Sequence, residues 1–238
     1  MSFFEPPPAP NRPEPPFEIP QLRPWWQPPR NELGAAVALR LVLARTERVA
    51  IALNGATAFS TGALLKLTAR KRLDPDDLEA FYEDPLDHPF GHPASRHRRG
   101  GSDLPPEILR FGVQFSDGGK ATTLSEMPFP SPGDPQDEPS GSVLAQRGGS
   151  GGGGEWDWDF WLWPVPRPGQ MTFAVQWPKE GIELTKQEVD ASLFIDASRY
   201  SERLWPDAGV GGPGGSYTVD QLVLRAKPAQ EDEGPASG

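Results

Sequence analysis

The run 155–163, Glu-Trp-Asp-Trp-Asp-Phe-Trp-Leu-Trp, constrains the fold more than any other stretch of this chain. Acidic and aromatic residues alternate through its first half. Period-two alternation puts unlike side chains on opposite faces of an extended strand, whereas a helix would scatter them around its axis. Glu155, Asp157 and Asp159 share one face, and Trp161 and Trp163 continue it. Trp156, Trp158, Phe160 and Leu162 form the other. Four of the eight tryptophans of the chain fall here, so burial of this strand dominates whatever core forms. Trp156, Trp158 and Phe160 are expected in that core. Trp161 and Trp163 are candidates for an exposed platform that would take a sugar ring or a partner protein.

The same alternation recurs elsewhere. It predicts strands over 33–45, 48–53, 63–71, 108–115, 120–124, 143–147, 155–163, 171–177 and 182–189. Turn chemistry separates several of them: Thr46-Glu47, Asn54-Gly55, Asp117-Gly118-Gly119 and Pro178-Lys179-Glu180-Gly181. Two helices are expected. One covers 74–81, with Asp74 as N-cap and Pro75 at the first helical position. The other covers 191–204 behind Asp190, with Leu193, Ala197, Tyr200 and Leu204 as its apolar stripe and Pro206 as its stop. About nine short strands with one or two helices read as a mainly β chain, an antiparallel β-sandwich. An immunoglobulin-like topology is compatible with that pattern, although the cysteine pair of a true immunoglobulin domain is missing.

The 30 prolines and 26 glycines shorten the foldable length. Residues 1–31 read as a proline-rich arm that favours polyproline II and has too few apolar residues for a core. Within it, Trp25-Trp26 is a candidate anchor that packs back on the domain, and also a candidate contact residue pair. A single sandwich domain is expected over 32–206, with long loops at 84–106 and 125–141. A glycine-rich and acidic tail is expected over 207–238.

Several function classes lose support at this level. A net charge of −10 disfavours nucleic acid and anionic lipid, both of which need a basic face. Without cysteine there is no thiolate nucleophile, thiolate zinc site or disulfide. No secretory leader is read at the N-terminus, and no apolar run is long enough to span a bilayer as a helix. The run 148–154 lacks the Lys-Ser/Thr ending of a phosphate-binding loop and is expected to be a flexible hairpin loop. No Gly-x-Ser-x-Gly elbow stands in a strand–turn–helix context.

Two clusters remain as candidate chemistry. Glu155, Asp157 and Asp159 form a row of carboxylates that could bind calcium, and Asp157 with Asp159 could supply an acid and a base for glycoside hydrolysis. The ordinary alternative is the solvent side of a strand, where charge discourages aggregation. His88, His92 and His97, with Asp84 and Asp87 nearby, have metal-ligand chemistry, but Pro89 and Pro93 break the helix their spacing would need. No cofactor is expected. The arm segment 6–13 is composed like a ligand for proline-reading domains.

Pro28, Glu32-Leu33-Gly34, Leu43-Ala44-Arg45-Thr46 and Val49-Ala50, together with the later Gly-Gly-Gly-Gly-Glu-Trp-Asp-Trp-Asp-Phe-Trp-Leu-Trp-Pro, resemble uncharacterised soluble proteins of high-GC bacteria. The resemblance implies a bacterial, cytoplasmic context and brings no activity with it. The expected function is a non-enzymatic binding or assembly module with a protein partner, using exposed aromatics (Trp161, Trp163, Trp25, Trp26) and the arm and tail. The alternatives are a carbohydrate-active or hydrolytic protein using Asp157 and Asp159, and a calcium-stabilised β module.

Overall fold

The computed structural model describes residues 23–72, 89–90, 104–124 and 138–205. The expected helix at 74–81, the three histidines and the tail lie outside them. In chain order the elements are β1 (Glu32–Leu33), β2 (Ala35–Arg45), β3 (Val49–Ala58), β4 (Ala63–Lys71), β5 (Arg110–Gln114), β6 (Lys120–Thr122), β7 (Val143–Gly152), β8 (Glu155–Trp163), β9 (Gln170–Trp177), β10 (Ile182–Asp190), α1 (Ser192–Ser198) and β11 (Glu202–Arg203). A 3₁₀ turn over Pro178–Glu180 joins β9 to β10 and ends on left-handed Gly181 at φ +67°.

Two antiparallel sheets face each other. One has the order β2-β3-β4-β8-β7 and the other β10-β9-β5-β6, while β1 and β11 form a separate ribbon. Taken as A to G from β3, with β6 as C′, the strands fall in the order A-B-E-D and G-F-C-C′. That is the immunoglobulin arrangement with β2 added outside A. The mainly β, antiparallel sandwich expected from alternation is therefore present.

Phenyl and indole rings fill the space between the sheets, where an immunoglobulin domain carries its disulfide. Phe111 of β5 stands 5.3 Å from Phe160 of β8 and stacks on Phe173 of β9 at 6.2 Å. Leu65, Leu67, Trp158, Phe160, Leu162, Met171 and Val175 complete this interior. Phe90 also enters it, with its ring 4.8 Å from Trp158 and 5.1 Å from Phe160. The described part of the expected loop 84–106 thus contributes a core residue.

Three local expectations are corrected. Asn54-Gly55 is not a turn, because β3 runs on to Ala58 and the pair forms a bulge between Leu53 and Ala56, with Gly55 at φ +116°. The hairpin closes later, where Phe59 N–H donates to Gly62 O. The glycine run is not a loop either. Residues 148–152 continue β7 and pair with 155–159 of β8; only Gly153 and Gly154 form the turn. Both turn glycines have positive φ, 61° and 78°, as a two-residue hairpin turn of this hand requires. Two of the remaining glycines, Gly149 and Gly151, have a steric reason. A Cβ at Gly149 would stand 2.6 Å from Trp158 Cδ1, and one at Gly151 would strike the Trp156 ring. Trp158 and Trp156 need bare backbone opposite them, at 149 and 151.

The helix is also shorter than its sequence pattern. Ala191 is the N-cap, and Asp190 before it accepts from Ser192 N–H through Oδ1 at 2.8 Å. Its inward residue is Phe194, fully buried, while Leu193 is 41 % exposed and Tyr200 81 % exposed. The chain leaves the helix after Ser198 and then pairs with β1. Glu202 and Arg203 pair with Leu33 and Glu32, and Leu204 N–H donates to Asn31 O.

Candidate functional site

Strand β8 is an interior strand of its sheet, flanked by β4 and the edge strand β7. The inner face holds Trp158, Phe160 and Leu162 in the main core, as expected, with Trp156 packed at its margin. The outer face divides into an aromatic end and an acidic end.

At the aromatic end, Trp161 has no exposed surface. The expected open platform is therefore corrected: it is covered by the chain itself. Trp25 and Trp26 are both buried and form a satellite cluster with Val143 and Ala145, against which Trp163 packs. Trp25 meets Trp163 edge to face at 5.9 Å, and Phe59 meets Trp161 the same way at 5.9 Å. The Trp161 indole Nε1 donates to Pro24 O at 2.9 Å. The expected anchoring by Trp25-Trp26 is what the structure has, and it removes these four residues as a freely exposed surface. Physically, an outer sheet face carrying two indoles leaves too much apolar area in water, and the nearest unpaired segment covers it.

At the acidic end, register decides the chemistry. Lys66, Thr68 and Arg70 of β4 stand opposite Asp159, Asp157 and Glu155. Arg70 donates through Nη2 to both oxygens of Asp157, at 3.1 and 3.0 Å, and its Nε lies 4.0 Å from Glu155. Partial burial pushes the Asp157 carboxyl up, but the hydrogen bonds of Thr68 and Arg70 and the charge of Arg70 outweigh this and hold it below the usual carboxylate range. Among the described residues, no three His, Cys, Asp or Glu side chains are grouped to hold a metal ion. The expected trio Glu155, Asp157 and Asp159 is therefore corrected. Pleating spreads the carboxylates along the strand, and β4 supplies cations beside them. A shallow depression of about 480 Å³ lies over this end, lined by Asn54, Lys66, Ser150, Asp157 and Asp159 among others.

A second recess of about 430 Å³ lies at one end of the sandwich, bordered by Phe115, Asp117, Trp163, Pro164, Pro166 and Arg167. The Trp163–Pro164 peptide is cis. Arg147, in the bulge of β7, is buried enough that its guanidinium is pushed down to about 10.

Four of the large apolar side chains exposed among the described residues lie at the ribbon and its approach, Leu33 (58 %), Leu204 (44 %), Trp205 (60 %) and Tyr200 (81 %); Val42, Leu104, Leu124, Leu184 and Leu193 are exposed elsewhere. The pairing of Leu33 with Glu202, and the bond of Leu204 to Asn31, set Leu33 and Leu204 on one face of the ribbon. The sequence pattern hides this group, because Tyr200 and Leu204 also fit the inner stripe of a longer helix. A two-residue ribbon strand leaves no alternation to detect.

No protein-family model, curated protein sequence or solved structure matches this chain. Among the described residues, no helix is long and apolar enough to cross a membrane.

Proposed function

We propose that this chain is a non-enzymatic binding or assembly module that docks a protein partner through the β1–β11 ribbon. The observation that carries the reading is the exposure of Leu33, Leu204 and Trp205 on and beside the ribbon, with Tyr200 just before it. Isolated exposed apolar residues are ordinary, but several together, with tryptophan and tyrosine among them, have the make-up of a binding hot spot. The reading keeps the exposed-aromatic logic of the sequence and moves it from Trp161 and Trp163 to Tyr200 and Trp205. A hydrolytic or carbohydrate-active role for Asp157 and Asp159, or calcium held at Glu155, has less support, because Arg70 occupies both oxygens of Asp157.

The test is affinity purification of the full chain from its host, beside a Tyr200→Ser/Trp205→Ser variant. The expected outcome is a partner that co-purifies with the native chain and is lost from a variant that melts at the same temperature. A partner retained by the variant would remove the ribbon from the proposal.

A further inference from the structure

The covered aromatic end of β8 offers an inference independent of the ribbon. Its cover is a short segment of the chain, Arg23 to Gln27, seated on a recess made by Trp161, Trp163, Val143 and Ala145. Three features make this segment resemble a bound ligand more than a part of the sandwich. First, Trp25, Trp26, Val143 and Ala145 form a cluster separate from the main core. The segment can therefore leave without opening the space between the sheets, and local opening of such units is far cheaper than global unfolding. Second, the recognition is directional. The recess donates one hydrogen bond, Trp161 Nε1 to Pro24 O at 2.9 Å, and packs the edge of one indole against another. Third, the connection to the fold contains Pro28 and Pro29 within Gln27-Pro28-Pro29-Arg30-Asn31. Gln27, Pro28 and Pro29 are half-buried and outside any helix or strand, and Arg30 and Asn31 turn the chain into β1, so the two prolines restrict a short connection that is not itself part of a sheet.

We propose that the recess over Trp161, Trp163, Val143 and Ala145 is a receptor for a proline-flanked tryptophan pair, and that two copies of this chain associate by exchanging the Pro24-Trp25-Trp26 strap. The contacts of the strap with the recess, the Trp161–Pro24 hydrogen bond and the packing of Trp25 on Trp163, do not depend on which copy supplies the strap. Exchange of an identical element is a low-cost route to a dimer. The strap tethered to its own recess competes at an effective concentration on the order of millimolar. The native chain therefore stays closed when dilute and exchanges when concentrated or when its own strap is removed. The occupant is chosen by what sits there: the one segment known to fit is the strap.

A complementation experiment tests this with two full-length variants. Trp25→Ser/Trp26→Ser has an open recess and no strap to donate. Ala145→Arg has an intact strap and an obstructed recess. Each is expected to sediment as a monomer alone, and their mixture to contain a 1:1 complex. Two folded variants that remain monomers in the mixture would overturn the proposal. A thiol measurement covers the case in which Ala145→Arg does not fold. The chain contains no cysteine, so Ala145→Cys and Ala69→Cys report single positions, one under the strap and one in the main core. Labelling at 145 at least about tenfold faster than at 69 is expected for a strap that opens by itself. Equal rates would mean that the strap opens only with the whole domain, and the exchange mechanism would fall.

Discussion

Trp161 and Pro24 are joined across 137 residues of sequence by a single hydrogen bond, from indole Nε1 to the proline carbonyl, at 2.9 Å. The bond ties the start of the described chain to β8, an interior strand of the larger sheet. It also satisfies the one polar atom of an otherwise fully buried indole, which would be costly to leave unpaired.

Trp161→Phe deletes the donor and part of the ring of a residue with no exposed surface. The expected loss is about 1–3 kcal/mol, from the hydrogen bond together with the space left by the smaller ring. Urea unfolding should show a lower midpoint with an unchanged slope. Trp161→Ala also removes the ring and should cost about 3–5 kcal/mol.

The glycines of β7 should differ in tolerance although they look alike in sequence. At Gly149 the added methyl meets Trp158, a residue with 2 % exposure locked in the core, and Asp157 O at 3.3 Å. Gly149→Ala should cost about 1–3 kcal/mol through overpacking. Gly151→Ala meets Trp156, which is half-buried at the hairpin end rather than locked in the core, and Glu155 O at 3.0 Å. Its cost should be smaller. Thermal melts of the two variants check the order.

The Arg70–Asp157 pair is exposed enough, at 42 % and 56 % of the two side chains, that its contribution must be discounted for solvent screening. A double-mutant cycle with Arg70→Ala and Asp157→Asn should give a coupling of about 0.2–1 kcal/mol, falling with added salt. The sign with pH follows from the depressed carboxyl. Stability from Asp157 is fully present above the unfolded carboxylate value of about 3.9 and is lost as pH falls through the lower folded value. The gap between the native chain and Asp157→Asn should therefore be constant near neutrality and close in acid.

The end of α1 yields a contrast between buried and exposed positions. Phe194→Ala should cost about 3–5 kcal/mol, since Phe194 has no exposed surface and its ring lies 6.4 Å from that of Phe173. Tyr200→Ser should stay within about 0.5 kcal/mol of the native chain. Chemical denaturation of both distinguishes the short helix from the longer one that Leu193, Ala197, Tyr200 and Leu204 suggest.

Much of the sheet was legible in the sequence. Residues 63–71 and 155–163 alternate cleanly and form β4 and β8 over those very spans. The turn residues at Asp117-Gly118 and Pro178-Lys179-Glu180-Gly181 also do what their chemistry indicates, with Phe115 N–H bonded to Gly119 O and Gly181 N–H to Pro178 O. Asn54-Gly55 misled because a dipeptide that favours positive φ serves a bulge as well as a turn. The glycine run misled because glycine disfavours strands intrinsically, and only the rings of Trp156 and Trp158 make bare backbone necessary beside them. The candidate site was the least legible part, since exposure is not a property of a residue's neighbours in sequence.

By itself, the sequence determined which segments are strands, which faces of them are apolar, and where most hairpins turn, because alternation and backbone φ preference are properties of adjacent residues. Only the tertiary structure decided that Pro24 accepts from Trp161 while Trp25 packs on Trp163, that Arg70 takes the charge of Asp157, and that Leu204 bonds to Asn31 rather than continuing a helix. Each of these depends on bringing together segments far apart in the chain, where burial and pairing are set by what arrives from elsewhere rather than by the local pattern.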